Sequence, residues 1–381
     1  MDDNLAHLRV AIDAIDDQIL ERLNRRAELV TQVGAIKRQK QQSFYVPARE
    51  RQIVERLVAA SQGKFPAEAI PAVFREIISA CLRLEEPLKV AYFGPEATFT
   101  HMAAQRRFGL SALYVSAPTI GAVFAEVEKG QADFGVVPVE NSTEGGVSHT
   151  LDSFLASDLQ ICGEVVHEIA HCLLSHGELG EIRKVFSHPQ ALAQCRMWLG
   201  AHLPGVVPIE VASTSQAARM ARDDASAAAI ASELAAQLND VPIRARQIQD
   251  VAQNVTRFLV LCRPEHLPRV SAAAPGTRMR TSVLFTVRDQ PGILYKVLQP
   301  FADRGVNLSK IESRPSRRRA WEYVFFLDVD GHTDDPRIVA AIGDLRAASE
   351  LVKVIGSYPC YDPEPPATER DKADASDAQK E

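Results

Sequence analysis

The chain has 381 residues, of which 46% are hydrophobic and 24% are charged, and its formal net charge is −6. That length predicts two or three domains with substantial hydrophobic cores. The acidic balance argues against a general nucleic-acid or membrane-surface binder, so local cations must bind any anionic ligand. No segment approaches the roughly 18 uninterrupted apolar residues of a membrane span, and we expect none.

The six cysteines are scattered along the chain, and no C-x-x-C pair occurs. This pattern favours reduced, mostly structural thiols over a disulfide framework or a zinc site. The histidines lack ligand spacing with cysteines or carboxylates, so we expect no metal and no cofactor. The acidic start, Met1–Asn4, has neither the apolar core of a signal peptide nor the composition of a transit peptide, which favours a cytoplasmic protein.

The first ninety residues predict a helix that is too long to stand alone. From about Asn4 to Lys40 there is no proline and one glycine, Gly34. Apolar residues recur there at helical spacing, at Leu5, Leu8, Ile12, Ile15, Ile19, Leu23, Val30 and Val33. A helix of about 35 residues would be roughly 50 Å long, so we expect a dimer of such helices. Two shorter helices should follow, at about 48–61 and 71–85.

The cations of the long helix fall on two faces. Arg26 and Lys37 are eleven residues apart, which places them within about 20° of each other on one face. Arg9 lies about 100° away, so it cannot easily join the same pocket from the same helix but could serve the pocket of a partner subunit. Cys81 and Glu85 share one face of the third helix at i, i+4 spacing. The alternative is that these are solvated, salt-bridged faces.

The segment contains a pattern of charged residues and one glycine, at Arg9, Asp16, Arg25, Arg26, Gly34, Lys37, Arg49, Glu50 and Glu85. With this pattern, about residues 4–86 resemble the all-helical chorismate mutase domain, an intertwined dimer. The resemblance implies that chorismate's two carboxylates and ether oxygen are bound by Arg26, Lys37 and Arg49, together with Arg9 of the other subunit. Glu50 would hold the ring hydroxyl.

Three positions depart from the common pattern of that family. Val46, Cys81 and Glu85 stand where an acidic residue, a serine and a glutamine are usual. Cys81 and Glu85 would still contact the substrate. A carboxylate cannot donate a hydrogen bond to the ether oxygen, whereas a carboxylic acid can. We therefore hypothesise that Glu85 works in its protonated form in an apolar pocket.

Residues 88 to 265 alternate predicted strands and helices, which indicates a mixed α/β domain split into two lobes, with the chain crossing back at the end. Five polar loops punctuate this region, at residues 94–96, 140–146, 187–190, 213–215 and 254–258. The last of them, Asn254–Phe258, runs into an apolar strand that ends at Cys262. Polar side chains at the mouth of a buried strand lie where such folds open a ligand crevice, although each loop alone is also ordinary turn chemistry.

In order and spacing, the five loops resemble those of prephenate dehydratases, whose fold is similar to the two-lobed periplasmic binding proteins. The resemblance implies that Thr256 donates to the leaving hydroxyl, for which it needs a hydrogen-bond network and a dry cleft. Arg257 would be either the counter-charge of a substrate carboxylate or a structural brace. The cleft would be lined by Asn141, Ser142, Thr143, Ser213, Thr214, Ser215 and Phe258. Ala97, Thr100 and Ser148 depart from the family, and Ala97 matters if the usual glycine has positive φ.

The last hundred residues predict a ferredoxin-like βαββαβ pattern. This region contains two short motifs, Gly292-Ile293-Leu294 and Glu312-Ser313-Arg314-Pro315. They resemble the effector motifs of the amino-acid-binding ACT regulatory domain. The implied effector is phenylalanine, held between paired domains, with the Gly292 helix start receiving one end and the Glu312 loop closing over it. The alternative is a domain that only packs.

The predicted multi-domain architecture is therefore helical over residues 1–87, two-lobed α/β over 88–268, and α+β over 277–360, followed by a disordered tail at 361–381. Together the resemblances imply a homodimer or higher homo-oligomer that rearranges chorismate to prephenate. It would then dehydrate and decarboxylate prephenate to phenylpyruvate, under feedback inhibition by phenylalanine. Two alternatives stay open: a mutase joined to an arogenate dehydratase, and a non-catalytic phenylalanine-binding regulator with a decayed cleft.

Overall fold

The computed structural model describes residues 2–40, 45–267, 277–288, 290–315 and 323–360. Its N-terminal part is helical, with α1 (Asp2–Gln39), α2 (Pro47–Ala60) and α3 (Ile70–Glu85), and a 3-10 turn at Ala67–Ala69. Helix α1 packs on α3. Five large apolar residues in its first half nevertheless remain 50–56% exposed, namely Leu5, Leu8, Ile12, Ile15 and Ile19. The long helix of the sequence prediction is confirmed, and this single chain leaves its apolar stripe uncovered.

A first lobe follows, built on five strands and three helices. The strands are β1 (Lys89–Phe93), β2 (Leu113–Ala117), β3 (Phe134–Asn141), β4 (Gly145–Gly146) and β5 (Gln160–Glu168). The helices are α4 (Phe99–Phe108), α5 (Ile120–Glu128) and α6 (Ser148–Phe154). Strands β1, β2 and β3 are parallel, so their carboxyl ends share one edge of the sheet.

The second lobe has its own five-stranded sheet. Its strands are β6 (Cys172–Leu174), β7 (Lys184–Ser187), β8 (Val207–Glu210), β9 (Ala227–Ala231) and β10 (Ile243–Ala245), in the order β10-β6-β9-β7-β8. Its helices are α7 (Pro189–Gln194), α8 (Arg196–His202), α9 (Thr214–Arg222) and α10 (Glu233–Asn239). Two 3-10 turns lie at Leu179–Glu181 and Pro264–His266.

The chain then returns to the first lobe as β11 (Val255–Cys262), which completes the sheet order β2-β1-β3-β11-β5 with β4 paired to β3. Strand β11 is antiparallel to both of its neighbours, and Thr256 pairs with Asn141. The predicted crossing between lobes is confirmed, and it delivers the Asn254–Phe258 stretch to the junction of the two lobes.

The C-terminal domain has the predicted βαββαβ order. Its elements are β12 (Met279–Thr286), α11 (Ile293–Asp303), β13 (Leu308–Pro315), β14 (Tyr323–Asp330), α12 (Pro336–Ala348) and β15 (Leu351–Pro359). They form one antiparallel sheet in the order β13-β14-β12-β15. The predicted disordered tail lies outside the described residues. Within the described part of the chain, no helix combines the length and apolar character needed to cross a membrane.

Side-chain alternation gives β11 two different faces. Phe258 and Val260 enter the core that includes α4, whereas Leu259 and Leu261 enter a core shared with the C-terminal sheet. Strand β15 approaches β5 so closely that a Cβ on Gly356 would collide with the carbonyl oxygen of Ile161. The C-terminal domain is therefore packed directly against the back of the first-lobe sheet.

Candidate active sites

A cavity of about 350 Å³ lies between the two lobes. Its polar lining consists of Thr98, Thr100, Asn141, His171, His188, Gln190, Gln194, Ser213, Thr214 and Thr256. Aromatic walls come from Phe93, Phe99 and Phe258. The loops that the sequence singled out between Gly94 and Phe258 therefore converge on one cleft, as an interlobe ligand site requires.

Thr256 is oriented by the amide of Asn141. The Asn141 Nδ2 donates to Thr256 Oγ1 and to Asn254 Oδ1, each at 2.8 Å. The Asn141 Oδ1 accepts from the backbone N–H groups of Thr143 at 3.0 Å and Glu144 at 3.2 Å. These two donors fix the orientation of the amide, with its nitrogen towards Thr256. Because Thr256 Oγ1 accepts a hydrogen bond here, and donates to no acceptor among the described residues, its hydrogen is available to a ligand in the cavity.

Gln194, at the end of α7 in the second lobe, forms hydrogen bonds with residues beside Asn141 and Thr256. Its Oε1 accepts from Asn254 Nδ2 at 3.1 Å and lies 2.9 Å from His171 Nε2, and its Nε2 donates to Glu144 Oε1 at 3.0 Å. Burial lowers the pKa of His171 despite the opposing hydrogen bond to Gln194, so a neutral imidazole lines the cleft. Sequence reasoning missed Gln194 and His171 because neither belongs to a motif with a distinctive spacing.

Several predicted cleft residues do not line the cavity. Ser142 Oγ accepts from Val255 N at 3.0 Å and donates to the Gln253 carbonyl at 3.2 Å, so it fixes the backbone beside Thr256. Thr143 Oγ1 donates to Asn141 Oδ1 at 2.6 Å. Ser215 is buried within α9. Ser142 thus fixes the strand that carries Thr256, and Thr143 holds the side chain of Asn141, which does line the cleft.

Arg257 points away from the cleft. Its guanidinium lies 2.7 Å from Glu164 and 2.7 Å from Asp328, and it donates to Tyr358 Oη at 2.9 Å. Residues i and i+1 of a strand face opposite sides of the sheet, so a cleft-facing Thr256 sends Arg257 into the interface with the C-terminal domain. The geometry corrects the placement of Arg257 among substrate-binding residues and supports the structural brace.

The cleft gains positive potential without a charged side chain. No arginine, lysine, aspartate or glutamate occurs among the described residues that line it. Helices α4 and α9 begin at its wall, where Thr98 accepts from His101 N at 3.4 Å and Ser213 accepts from Gln216 N at 3.1 Å. Helix N-termini carry a partial positive charge, which suits an anionic ligand.

Ala97 stands at the position where the resemblance to prephenate dehydratases implies a glycine. Its φ is +65° and its side chain is buried. Its N–H donates to His101 Nδ1 at 3.2 Å, and its carbonyl accepts from Ser232 Oγ at 2.8 Å, so both lobes hold this conformation. A left-handed alanine costs about 1 kcal/mol. The alanine therefore strains the backbone of this loop, and the loop keeps its hydrogen bonds to both lobes.

The helical domain forms a second polar cluster between α1 and α3. Lys37 Nζ lies 3.3 Å from Glu85 Oε2, and Cys81 is buried one turn earlier on α3. A Cβ on Gly34 would lie 3.1 Å from the Glu85 side chain, so this glycine allows the helices to approach. Arg26 Nη1 is buried and has no hydrogen-bond partner among the described residues, which leaves a cation ready for an anion.

The remaining predicted residues of that cluster are Arg9, Arg49 and Glu50. Arg9 and Arg49 are exposed. Burial raises the pKa of Glu50 to about 7, against the opposing pull of Arg107 on α4. The charged neighbour of Glu50 is thus a residue of the first lobe.

The two predicted effector motifs lie on different elements. Gly292 has φ +76° and precedes α11, so Ile293 and Leu294 form that helix's first turn. Glu312, Ser313, Arg314 and Pro315 end β13, which is an edge strand of its sheet. Glu312 lies 3.3 Å from Lys310 and 4.0 Å from Arg314.

Comparison with known proteins identifies three regions of the chain. Family models for chorismate mutase type II, prephenate dehydratase and the ACT domain match residues 8–86, 90–266 and 281–347. The bifunctional chorismate mutase/prephenate dehydratase of Aquifex aeolicus (strain VF5) is 48% identical over 362 residues, which cover 94% of this chain and 98% of that protein.

Two of the solved structures that are similar to this chain illustrate its fold over most of its length. The prephenate dehydratase from Arthrobacter aurescens, in complex with L-Phe, has a TM-score of 0.66 at 34% identity and covers 77% of this chain and 97% of its own. GqqA, described as a novel type of quorum quenching acylase, has a TM-score of 0.65 at 30% identity and covers 72% of this chain and 98% of its own.

The Asn141→Asp variant tests the orientation of Thr256. A carboxylate cannot donate to Thr256 Oγ1, and it would accept the threonine hydrogen, turning it away from the cavity. We expect prephenate dehydration to fall about 100-fold, the effect of losing some 2–3 kcal/mol of transition-state stabilisation. Steady-state kinetics of dehydration measure this loss, with the chorismate mutase activity of the same sample as reference.

Thr143→Val is the matched control for that variant. It removes one hydroxyl donor to Asn141 Oδ1, but the backbone N–H groups of Thr143 and Glu144 still hold the amide. Its dehydration rate should stay within a few-fold of the unmodified protein. Equal losses in both variants would contradict a specific role for the Asn141 donor.

Proposed function

Because this chain belongs to the family of bifunctional chorismate mutase/prephenate dehydratases, we propose that its helical cluster and its interlobe cleft catalyse two successive reactions. The helical domain rearranges chorismate to prephenate, and the cleft converts prephenate to phenylpyruvate, with feedback inhibition by phenylalanine through the ACT domain. The observation that carries the second assignment is the hydrogen bond from Asn141 to Thr256 at the wall of the cavity.

Thr256 acts on the leaving hydroxyl of prephenate. The carbon–carbon bond to the ring carboxylate breaks, its electron pair enters the ring, and the ring carbon–oxygen bond breaks on the other side. Hydroxide is a poor leaving group, so a donor must assist it. The Thr256 hydroxyl passes its proton to that oxygen, which leaves as water, while carbon dioxide departs and the ring becomes aromatic. The threonine oxygen, which accepts from Asn141 Nδ2, then regains a proton from solvent.

The uncharged lining of the cleft suits the decarboxylation. A lysine or arginine beside the ring carboxylate would stabilise that charge before the reaction and oppose its loss. Aromatic walls such as Phe93, Phe99 and Phe258 instead surround the ligand. The carboxylate of the side chain, which persists in the product, is suited to the helix N-termini at Thr98 and Ser213.

The same lining favours prephenate over arogenate. Arogenate carries an ammonium group where prephenate has a keto oxygen, and a desolvated ammonium needs a carboxylate partner. The described residues lining the cavity include no aspartate or glutamate. The keto substrate leaves no charge unpaired at that position.

Thr256→Ala should abolish phenylpyruvate formation and leave the mutase active. Supplied with chorismate, the variant should accumulate prephenate, because the lost donor is worth about 10²- to 10⁴-fold in rate. Thr256→Ser keeps the hydroxyl and should retain much of the activity. Product analysis with and without phenylalanine measures both steps, and a parallel reaction with arogenate distinguishes the substrates. Undiminished dehydration by Thr256→Ala would refute this assignment.

The mutase site works by positioning and charge. The rearrangement of chorismate breaks the ether carbon–oxygen bond and forms a carbon–carbon bond within one molecule, so no covalent catalyst is required. Lys37 and Arg26 supply positive charge for the substrate carboxylates and the developing charge on the ether oxygen. Arg26 Nη1 supports this role, because it is buried without a hydrogen-bond partner in the part of the chain that the structure describes, and such a donor needs an acceptor.

The mutase site is completed by a second copy of the chain. The apolar stripe on α1 is about half exposed, which a partner helix would cover. Arg9 lies on the exposed half of α1, apart from Lys37 and Glu85. An intertwined pair of α1 helices would bring Arg9 of each subunit to the other's cluster.

Mixing two inactive variants tests the shared site. Arg9→Ala and Lys37→Ala should each lose mutase activity, but a heterodimer of the two has one site with both residues intact. Random reassortment should recover about a quarter of the original activity, because half the dimers are mixed and half their sites are complete. Mixing Arg26→Ala with Lys37→Ala is the control and should recover none. Equal recovery in both mixtures, or in neither, would contradict the cross-subunit role of Arg9.

Glu50 should shape the pH dependence of the mutase. Its pKa of about 7, raised by burial, means that its carboxyl ionises through neutral pH, and the ionised form is the stronger acceptor for the ring hydroxyl. Mutase activity should therefore rise through neutral pH. Glu85, for which the sequence suggests a protonated form in an apolar pocket, instead lies 3.3 Å from the Lys37 ammonium.

The Glu50→Gln variant tests this pH dependence. Glutamine keeps the shape of the side chain and removes its titration, so the rise of mutase activity through neutral pH should disappear. Measurements of mutase kcat/KM from about pH 5 to 9 report this directly. A rise that persists unchanged in Glu50→Gln would contradict the role of Glu50.

The ACT domain binds phenylalanine between paired copies. Strand β13 is an edge strand, and an apolar groove of about 260 Å³ lies beside it, lined by Tyr295, Leu298, Gln299, Ala302, Val306 and Leu308. Tyr295 is 70% exposed there. An unpaired edge and an exposed apolar groove both favour association with a second domain.

A further inference from the structure

Three charged residues of β13 face the first lobe. Lys310, Glu312 and Arg314 pair with Asp328, Phe326 and Val324 of β14, and paired residues share one face of a sheet. Phe326 and Val324 belong to the core shared with the first lobe. The predicted effector residue Glu312 therefore faces the dehydratase domain.

Lys310 is shared between the effector motif and the strand that carries Asn141. Its Nζ lies 3.0 Å from Glu140 Oε2 and 3.3 Å from Glu312 Oε2, and its side chain is only 12% exposed. Glu140 immediately precedes Asn141 on β3 and also lies 3.7 Å from Arg257, the neighbour of Thr256. Lys310 thus connects Glu312 to β3 and, through Glu140, to Arg257 on β11.

Glu312 also lies against the hairpin that follows Asn141. A Cβ on Gly146 would collide with the Glu312 carboxylate, so a larger residue at Gly146 would require this side chain to shift. Gly146 pairs with Glu140, and Gly145 pairs with Asn141. A displacement of Glu312 therefore acts on the backbone that holds the Asn141 amide.

We propose that Lys310 and Glu140 are positioning residues of the dehydratase cleft, through which an effector at Glu312 acts on Asn141 and Thr256. An amino-acid effector whose ammonium group engages Glu312 takes that carboxylate from Lys310. Lys310 then pairs with Glu140 alone, which shifts the end of β3 and the amide that orients the Thr256 hydroxyl. The inference rests on the proposed function and adds the route by which the two domains communicate.

Lys310→Met tests this route because it keeps the length of the side chain and removes the charge. We expect phenylalanine to bind, as measured by calorimetry, but to change dehydratase turnover by less than about two-fold, against the roughly 5- to 150-fold of ordinary allosteric coupling. Glu140→Gln should behave in the same way. Lys310→Arg restores a cation and should recover inhibition.

Lys353→Met is the matched control. Lys353 also reaches from the C-terminal sheet to the first lobe, where its Nζ contacts the Phe154 and Ser157 carbonyls and Asp158, away from the cleft strands. This variant should remain inhibited. Loss of inhibition in both lysine variants, or full inhibition in Lys310→Met, would overturn the route while leaving the proposed function intact. An unmodified protein without prephenate turnover would overturn both.

Discussion

The buried guanidinium of Arg257 is the interaction on which the arrangement of the domains depends. A buried cation is tolerated only when it is paired, and removing one partner from such a group costs about 3–5 kcal/mol. Glu164 of the first lobe and Asp328 and Tyr358 of the C-terminal domain surround this one. The strand that presents Thr256 to the cleft is therefore fixed from behind by the regulatory domain.

The two faces of the first-lobe sheet therefore carry different groups. The ions lie on the back of the sheet, between β11 and the C-terminal domain, whereas the front presents hydroxyl, amide and aromatic groups to the cleft. Decarboxylation and loss of water both benefit from a cleft with few mobile charges. A regulatory ion pair such as Lys310–Glu140 can then act on the catalytic strands without entering the cleft.

Sequence reasoning located the elements and the convergent loops, because helical periodicity, capping residues and polar strand ends are local signals. Alternation places Arg257 on the face of β11 opposite Thr256. The sequence could not show that this face meets Glu164, Asp328 and Tyr358, because these partners come from another strand and another domain. Gln194 and His171 have no motif, and their roles follow only from the approach of two lobes. The contact between Lys310 and Glu140 joins residues of different domains, which local patterns do not report.

The boundary between the helical domain and the first lobe also contains a buried arginine, Arg107. Tyr45 precedes α2 and is buried between Phe108 and Phe134 of the first lobe, with ring centroids 5.5 and 5.3 Å apart. Arg107 Nε is buried nearby, and the charge of Arg107 acts on Tyr45 and Glu50. Both boundaries thus place a dehydratase arginine near a tyrosine and a carboxylate of the neighbouring domain. Since unpaired buried charge is costly, each boundary favours one fixed arrangement, and the dehydratase domain is the frame that holds the other two.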